Sequence, residues 1–248
     1  AVAIAADDWR DEGSYMCLLN GDRRCFAWEW LRRTPSYVEA WSNSGSATPF
    51  GLLTLENPAY DALTARPIWS AAADHAVLQA EGRAADTGDR LDFTRLAPFA
   101  TIVTGFDGTR HILLSDGLRS VRLDLRAGSP LTAPMALSWN VSGVCDIGPR
   151  LAALAQFSAL ARLGRFSRSL HPAQRRARRW IALLRVHDAL ATGAPHREIV
   201  AGLFGVETSQ PRWRATLAPW RLRIQRLAAG ARAYLAMGPT VWLHDGPS

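Results

Sequence analysis

The sequence predicts an α+β protein, mainly α, with a helical front, a small antiparallel β-meander and a helical back. Three observations lead there. Apolar residues recur at helical spacing before residue 41 and again after residue 147. Between these stretches, two Asp-Gly pairs separate short β-prone runs. The 248-residue chain is 48% hydrophobic and 21% charged, enough apolar material for a sizeable core and too much for wholesale disorder. The expected segments are 1–90, helical; 91–140, the meander; and 141–248, helical with a helix-turn-helix-like layout.

The front segment, Asp7 to about Trp41, reads as helical with an aromatic core. Phe26, Trp30 and Leu31 fall on one helical face, with Trp28 off that stripe. Pro35 is expected to end the helix, because proline lacks a donor and clashes with the preceding turn. Residues 42–48 form a small polar loop, and residues 50–69, with Pro58 and Pro67, look irregular. The meander uses Phe99 to Thr104, Arg110 to Leu114 and Leu118 to Leu125, with turns at Asp107-Gly108 and Asp116-Gly117. Ser120 to Leu125 alternates polar and apolar residues, as a half-buried strand should. Gly128, Pro130 and Pro134 close the strand region.

The back begins with a helix from Ile147, whose stripe is Leu151, Leu154, Ala155, Ala159, Leu160 and Leu163. A second helix is expected to start at His171-Pro172, proline being favourable at the first helical position. Its stripe is Trp180, Ile181, Leu184, His187 and Leu190, and Gly193 ends it. A third, short helix runs from Pro195 to Phe204 and stops at Gly205. A fourth runs from Pro219 to about Met237.

Charge separates the two ends. All 29 basic residues are arginine and the formal net charge is +7. Residues 1–150 carry 14 Arg against 18 Asp/Glu, a net of −4; residues 151–248 carry 15 against 4, a net of +11. A GC-rich coding bias explains the absence of lysine but not this placement. The asymmetry points to a back half that binds a polyanion, and nucleic acid is the most available one.

The third and fourth helices have the order of a helix-turn-helix, although the connection from Gly205 to Ala218 exceeds the ~3–4 residues of the simple motif. An ordinary helical bundle fits the same pattern. On the fourth helix, Trp220, Ile224, Leu227, Ala231 and Leu235 fall within about 80° of one another and form the buried stripe. Arg221, Gln225, Arg226 and Arg232 point away from it, and Arg223 sits on the flank. Ala229 and Gly230 are expected on the exposed side, where small residues permit close backbone approach. Arg and Gln are the side chains that reach guanine and adenine edges bidentately. A solvated face would normally mix both signs, and this one holds no acid. Arg175, Arg176, Arg178 and Arg179, placed in the first turns of the second helix, oppose its macrodipole and suit phosphates nearby. A simply exposed helix end is the alternative. Arg212 and Arg214, before the fourth helix, complete the candidate DNA-binding set, with Arg162, Arg165 and Arg168 peripheral.

Two stretches resemble known families. Asp8-Trp9-Arg10-Asp11, Tyr15 and Phe26 to Tyr37 resemble the N-terminal domain of proteobacterial transcriptional regulators. Arg197-Glu198-Ile199-Val200, Leu203-Phe204-Gly205, Trp213, Leu222-Arg223 and Arg226-Leu227 resemble the DNA-binding domain of RovC-like transcription factors. That family includes an activator of type VI secretion genes and FseA-type activators of conjugative-element excision. The resemblance implies a variant helix-turn-helix, DNA binding and transcriptional activation. Some relatives of the back domain are antiactivators that bind the activator instead of DNA. The chain departs from the pattern at Ala218-Pro219-Trp220, where a small polar cap would precede the helix.

Other classes find little support. No stretch approaches the ~18 apolar residues of a membrane span, and the opening Ala1 to Ala6 is too short for a signal-peptide core. Cys17, Cys25 and Cys145 make neither a disulfide framework nor a CxxC pair, which fits a reducing cytoplasm. The six histidines show no metal-ligand spacing, and there is no phosphate loop or GxSxG. No catalytic residue, metal or cofactor is therefore expected. The expected partners are double-stranded DNA, a second copy of the chain, and RNA polymerase or an antiactivator. Bound to DNA, the protein would associate with the nucleoid. Trp9, Trp28, Trp30, Trp41 and Trp69 are either interfacial in a homo-oligomer or core.

Overall fold

A computed structural model describes residues 8–85, 87–88, 90–142, 147–206 and 218–244. It is α+β and mainly α, as the sequence predicts. No helix among the described residues is long and apolar enough to cross a membrane. The chain forms two compact units that interleave along the sequence. The first gathers Ala1–Asn43, Asn57–Asp61 and Ala173–Ser248; the second gathers Ser44–Glu56 and Ala62–Pro172. This grouping differs from the expected segments 1–90, 91–140 and 141–248. The front helices pack with the last ones, and the helix from Ile147 packs on the sheet.

The second unit is built on five strands: β1 (Leu78–Ala84), β2 (Ala100–Thr104), β3 (Arg110–Ser115), β4 (Ser120–Leu125) and β5 (Met135–Asn140). Their order is β2-β3-β4-β1-β5. The expected meander is β2-β3-β4, antiparallel throughout. The sheet is wider than expected, because β1 joins β4 in parallel and β5 joins β1 antiparallel. Pro134 does not close the strand region but immediately precedes β5. Gly117 turns the second hairpin at φ 96°, and a Cβ there would lie 2.8 Å from the Leu63 carbonyl oxygen, so both torsion and space call for glycine.

Helix α4 (Ile147–Leu163) covers one face of this sheet. Ala153, Phe157 and Leu160 enter a core with Leu78, Ile112, Leu114, Val121, Leu123 and Leu125. Of the expected stripe, Ala159 and Leu160 are buried and Leu154 is half-buried, while Leu151, Ala155 and Leu163 are exposed and Ala153 and Phe157 complete the packed side. On the sheet's other face Arg122 is fully buried. It donates to the Trp69 and Leu123 carbonyl oxygens, at 3.1 and 2.8 Å, and pairs with Asp124 at 2.9 Å.

The first unit is helical. It comprises α1 (Gly13–Met16), α2 (Arg23–Leu31), α3 (Pro35–Ser42), α5 (Ala177–Ala191), α6 (His196–Phe204), α7 (Ala218–Ala236) and α8 (Pro239–Leu243). Pro35 does not terminate the front helix. It opens α3 at the first helical position, where a missing N–H costs nothing. The second back helix starts at Ala177 rather than at Pro172. Trp9, Trp28, Trp30 and Trp69 are each at most 2% exposed, so these four fill cores.

Candidate nucleic-acid interface

The interface candidate is α7 with the two helices beneath it. Ile224, Ala228, Ala231 and Tyr234 are its buried side. Ile224 and Ala231 match the expected stripe, while Trp220, Leu227 and Leu235 are half-buried. The centre of the stripe holds, but Ala228 and Tyr234 rather than Leu227 and Leu235 complete the buried side. Gly230 is not on the solvent side. A Cβ there would lie 3.0 Å from Leu183 Cδ2, so the glycine lets α7 lie close on α5.

Two features set α7 on its support. The first is Trp9, which lies in one cluster with Val186 and Ala189 of α5, Ile199 and Val200 of α6, and Ile224 and Ala228 of α7. Gly202 makes room for it: a Cβ would meet Trp9 Cζ3 at 2.7 Å. Arg185 Nε donates to the Trp9 carbonyl oxygen at 3.0 Å, and its Nη2 to that of Gly202 at 3.3 Å. The second is a buried charge cluster under α5. Arg33 forks onto Asp188, Nε to Oδ1 and Nη2 to Oδ2, both at 2.7 Å, and Tyr15 Oη donates to Asp188 Oδ2 at 2.7 Å. Arg33 and Arg32 also pair with Glu29, Arg32 at 2.7 Å.

Burial pushes the Asp188 carboxyl up, but the Arg33 charge and the hydrogen bonds from Arg33 and Tyr15 outweigh it and hold it below its ordinary range. Burial also lowers the neighbouring His187 imidazole, against the pull of Asp188. His187 packs edge-on to Trp30, 6.0 Å between ring centroids, as a core histidine.

The exposed side of α7 carries Arg221, Arg223, Gln225, Arg226 and Arg232. Among the described residues, no carboxylate lies within ion-pairing distance of these arginines. At about 100° per residue, Arg221, Gln225 and Arg232 share one edge and Arg226 takes the other. Leu222, Ala229 and Ala233 form a low apolar strip between them. Arg223 is the flank residue, and its guanidinium lies 4.2 Å from the Phe204 ring centroid and 5.4 Å from that of Trp220. This stacking ties the start of α7 to the end of α6, whose C-cap Gly205 adopts φ 63°.

Arg175, Arg176, Arg178 and Arg179 are all exposed, but not all in a helix. Arg175 precedes α5, Arg176 is its N-cap residue, and Arg178 and Arg179 stand in its first turn. Helices α5 and α7 run antiparallel. Trp180 and Tyr234 both meet Trp242, at 5.0 and 4.9 Å, while Val186 and Ala189 meet Ile224 and Ala228. The two arginine groups therefore lie at opposite ends of the pair, separated by roughly 20 Å along α7 at ~1.5 Å per residue. Arg232 stands near the second group. Arg212 and Arg214 lie outside the described residues. Arg162, Arg165 and Arg168 belong to the unit of the sheet. Sequence reasoning missed Trp9, Gly202, Arg185 and the Arg33–Asp188 fork as determinants of the site. The fork joins residues 155 positions apart, which no local pattern signals.

Among the described residues, no group of three His, Cys, Asp or Glu could hold a metal ion. Two family models match the chain: a proteobacterial transcriptional regulator-like domain over residues 8–83, and a T6SS transcription factor DNA-binding domain over residues 134–238. Each matched stretch contributes to both compact units. No curated protein matches the chain.

Proposed function

We propose that this chain, which belongs to the RovC-like transcriptional regulators, activates transcription by laying α7 in the DNA major groove. It is a DNA-binding regulator by family; the activation, the docking mode and the residue roles are the proposal. The observation that carries it is the exposed side of α7, with Arg221, Gln225, Arg226 and Arg232 free of described acidic partners. Arg and Gln at the N-terminal end of a second motif helix are placed to meet base edges. Arg175, Arg176, Arg178 and Arg179, one helix length away, suit phosphates flanking a groove ~12 Å wide. In this reading α6 and α7 form a variant helix-turn-helix and the protein acts by binding, not catalysis. A pair of copies would match a two-fold operator. By resemblance, the controlled genes serve type VI secretion or conjugative-element transfer. An antiactivator that binds a related activator would have no use for arginines that no described carboxylate pairs.

The test is to sequence the DNA fragments retained by the purified chain and then titrate the recovered site. Arg226→Ala is expected to cost about 1–3 kcal/mol of specific binding without lowering the thermal midpoint. Unchanged specific binding in the Arg221→Ala/Arg226→Ala double variant would falsify the assignment of α7 as the reading helix.

A further inference from the structure

In the second unit a groove of about 630 Å³ opens between β5, α4 and the segment that carries Arg90 to Arg95. Its volume lies within the ~300–1,000 Å³ of small-molecule sites. The floor is apolar: Leu137 and Trp139 from β5, Leu154 and Phe157 from α4. Trp139 and Phe157 meet edge to face, 5.1 Å between ring centroids, so both rings contribute to the aromatic side of the groove. Arg90, Arg95 and Arg162 rim it, all exposed.

Asp92 is the one acidic residue lining the groove among those described, and its carboxylate is engaged nearby. It accepts the Thr94 amide at 3.0 Å and the Thr94 hydroxyl at 2.6 Å, and these bonds hold it below its ordinary range. Asp92 thus stays ionised beside Arg95, and the three arginines still leave the rim net cationic over an apolar floor. The adjoining backbone is also open. Met135 exchanges both of its hydrogen bonds with Leu91, so its N–H and C=O face away from β1. By the two-residue alternation of a strand, the N–H groups of Leu137 and Trp139 face the same way. β5 is the edge of the sheet, and no strand pairs with it there among the described residues.

We infer that this groove binds a small amphipathic organic anion, a carboxylate with an aromatic or medium-length acyl body. The apolar body lies along Trp139, Leu154 and Phe157. The carboxylate meets Arg95 and Arg162, whose fork geometry suits it, with the β5 edge amides as further donors. A nucleic-acid backbone would meet the same arginines but has nothing to place on the apolar floor. The site is distinct from α7 and does not depend on how the chain contacts DNA.

Calorimetric titration of the full chain with sodium decanoate and with 2-naphthoate tests this. The neutral alcohol 2-naphthalenemethanol and inorganic phosphate serve as the two half-ligand controls. The expected result is that both carboxylates bind at one site per chain and both controls bind at least about tenfold more weakly. Arg95→Ala and Arg162→Ala are each expected to weaken the carboxylates about tenfold with the thermal midpoint kept. Leu154→Trp, which fills the groove, is expected to abolish binding; its thermal unfolding is measured alongside. Failure of both carboxylates to bind at millimolar concentration overturns the proposal. So does equal binding of the alcohol or of phosphate, or unchanged affinity in both arginine variants.

Discussion

Arg33 and Arg185 have side chains only 5% and 6% exposed, and carboxylates or carbonyl oxygens meet their guanidinium groups. Arg221, Arg226 and Arg232 lie one helix layer away, exposed, with no described carboxylate in reach. The residue type is the same and its physical role is reversed. A buried guanidinium has lost its water and is tolerable only because Asp188 and Glu29, or backbone carbonyls, replace that water. An exposed cluster keeps its water and its mutual repulsion, and it gains by meeting an anion from outside. The buried set fixes where α5 lies, and α5 with α6 fixes where the exposed set points. Net charge alone does not distinguish the two sets.

The largest effect should come from separating the regions. A fragment of residues 143–248 keeps every exposed arginine of α7 but loses Trp9, Phe26, Trp30 and Arg33. It is expected to lack a cooperative unfolding transition and specific DNA binding, checked by calorimetry and gel shift. A well-folded, DNA-binding fragment would show that the buried set is dispensable.

Next, Arg33→Met leaves Asp188 buried with the Tyr15 hydroxyl but without its cation and is expected to cost about 3–5 kcal/mol in a denaturant melt. The same pair sets an acid limit. Asp188 has its carboxyl held below the unfolded value, so its contribution is present above about pH 4 and is lost as pH falls through the folded-state value. In Arg33→Met that acid-linked loss should be absent, which a stability–pH profile between about pH 2 and 6 would read.

The smallest effect belongs to the exposed end of α5. Arg179→Ala should leave stability unchanged, weaken all DNA sequences alike, and lower the slope of log affinity against log salt by about one unit. A sequence-selective loss instead would move Arg179 from positioning to reading.

What was legible in the sequence is what local chemistry determines. Asp107-Gly108 and Asp116-Gly117 specify hairpins within four residues. The ends of α6 and α7 follow from Pro195, Gly205 and Pro219, and the arginine side of α7 follows from counting turns. Strand β1 was invisible because Gln79, Glu81 and Gly82 have weak strand preference, and its parallel partner Leu123 lies 45 positions beyond Leu78. Pro35 reads as a stop in the sequence, because proline suits the residue after one helix and the first of the next equally well. The tryptophans could be counted but not placed. Only the packing shows that Trp9 belongs with Ile199 and Ile224 rather than with its neighbours in the chain.

Trp9 also sets a timetable. A ribosome makes residues 8–43 first, then nearly all of the sheet unit, and only afterwards α5, α6 and α7. At ~5–20 residues per second, roughly ten seconds or more pass between Trp9 and the helices that enclose it. Throughout that interval Trp9, Phe26 and Trp30 have no core to enter, and the nascent chain offers chaperones an aromatic segment. A chain released before α7 is complete cannot bring its first turn to its last long helix. On the proposed docking, such a chain lacks the packed α7 that would meet DNA.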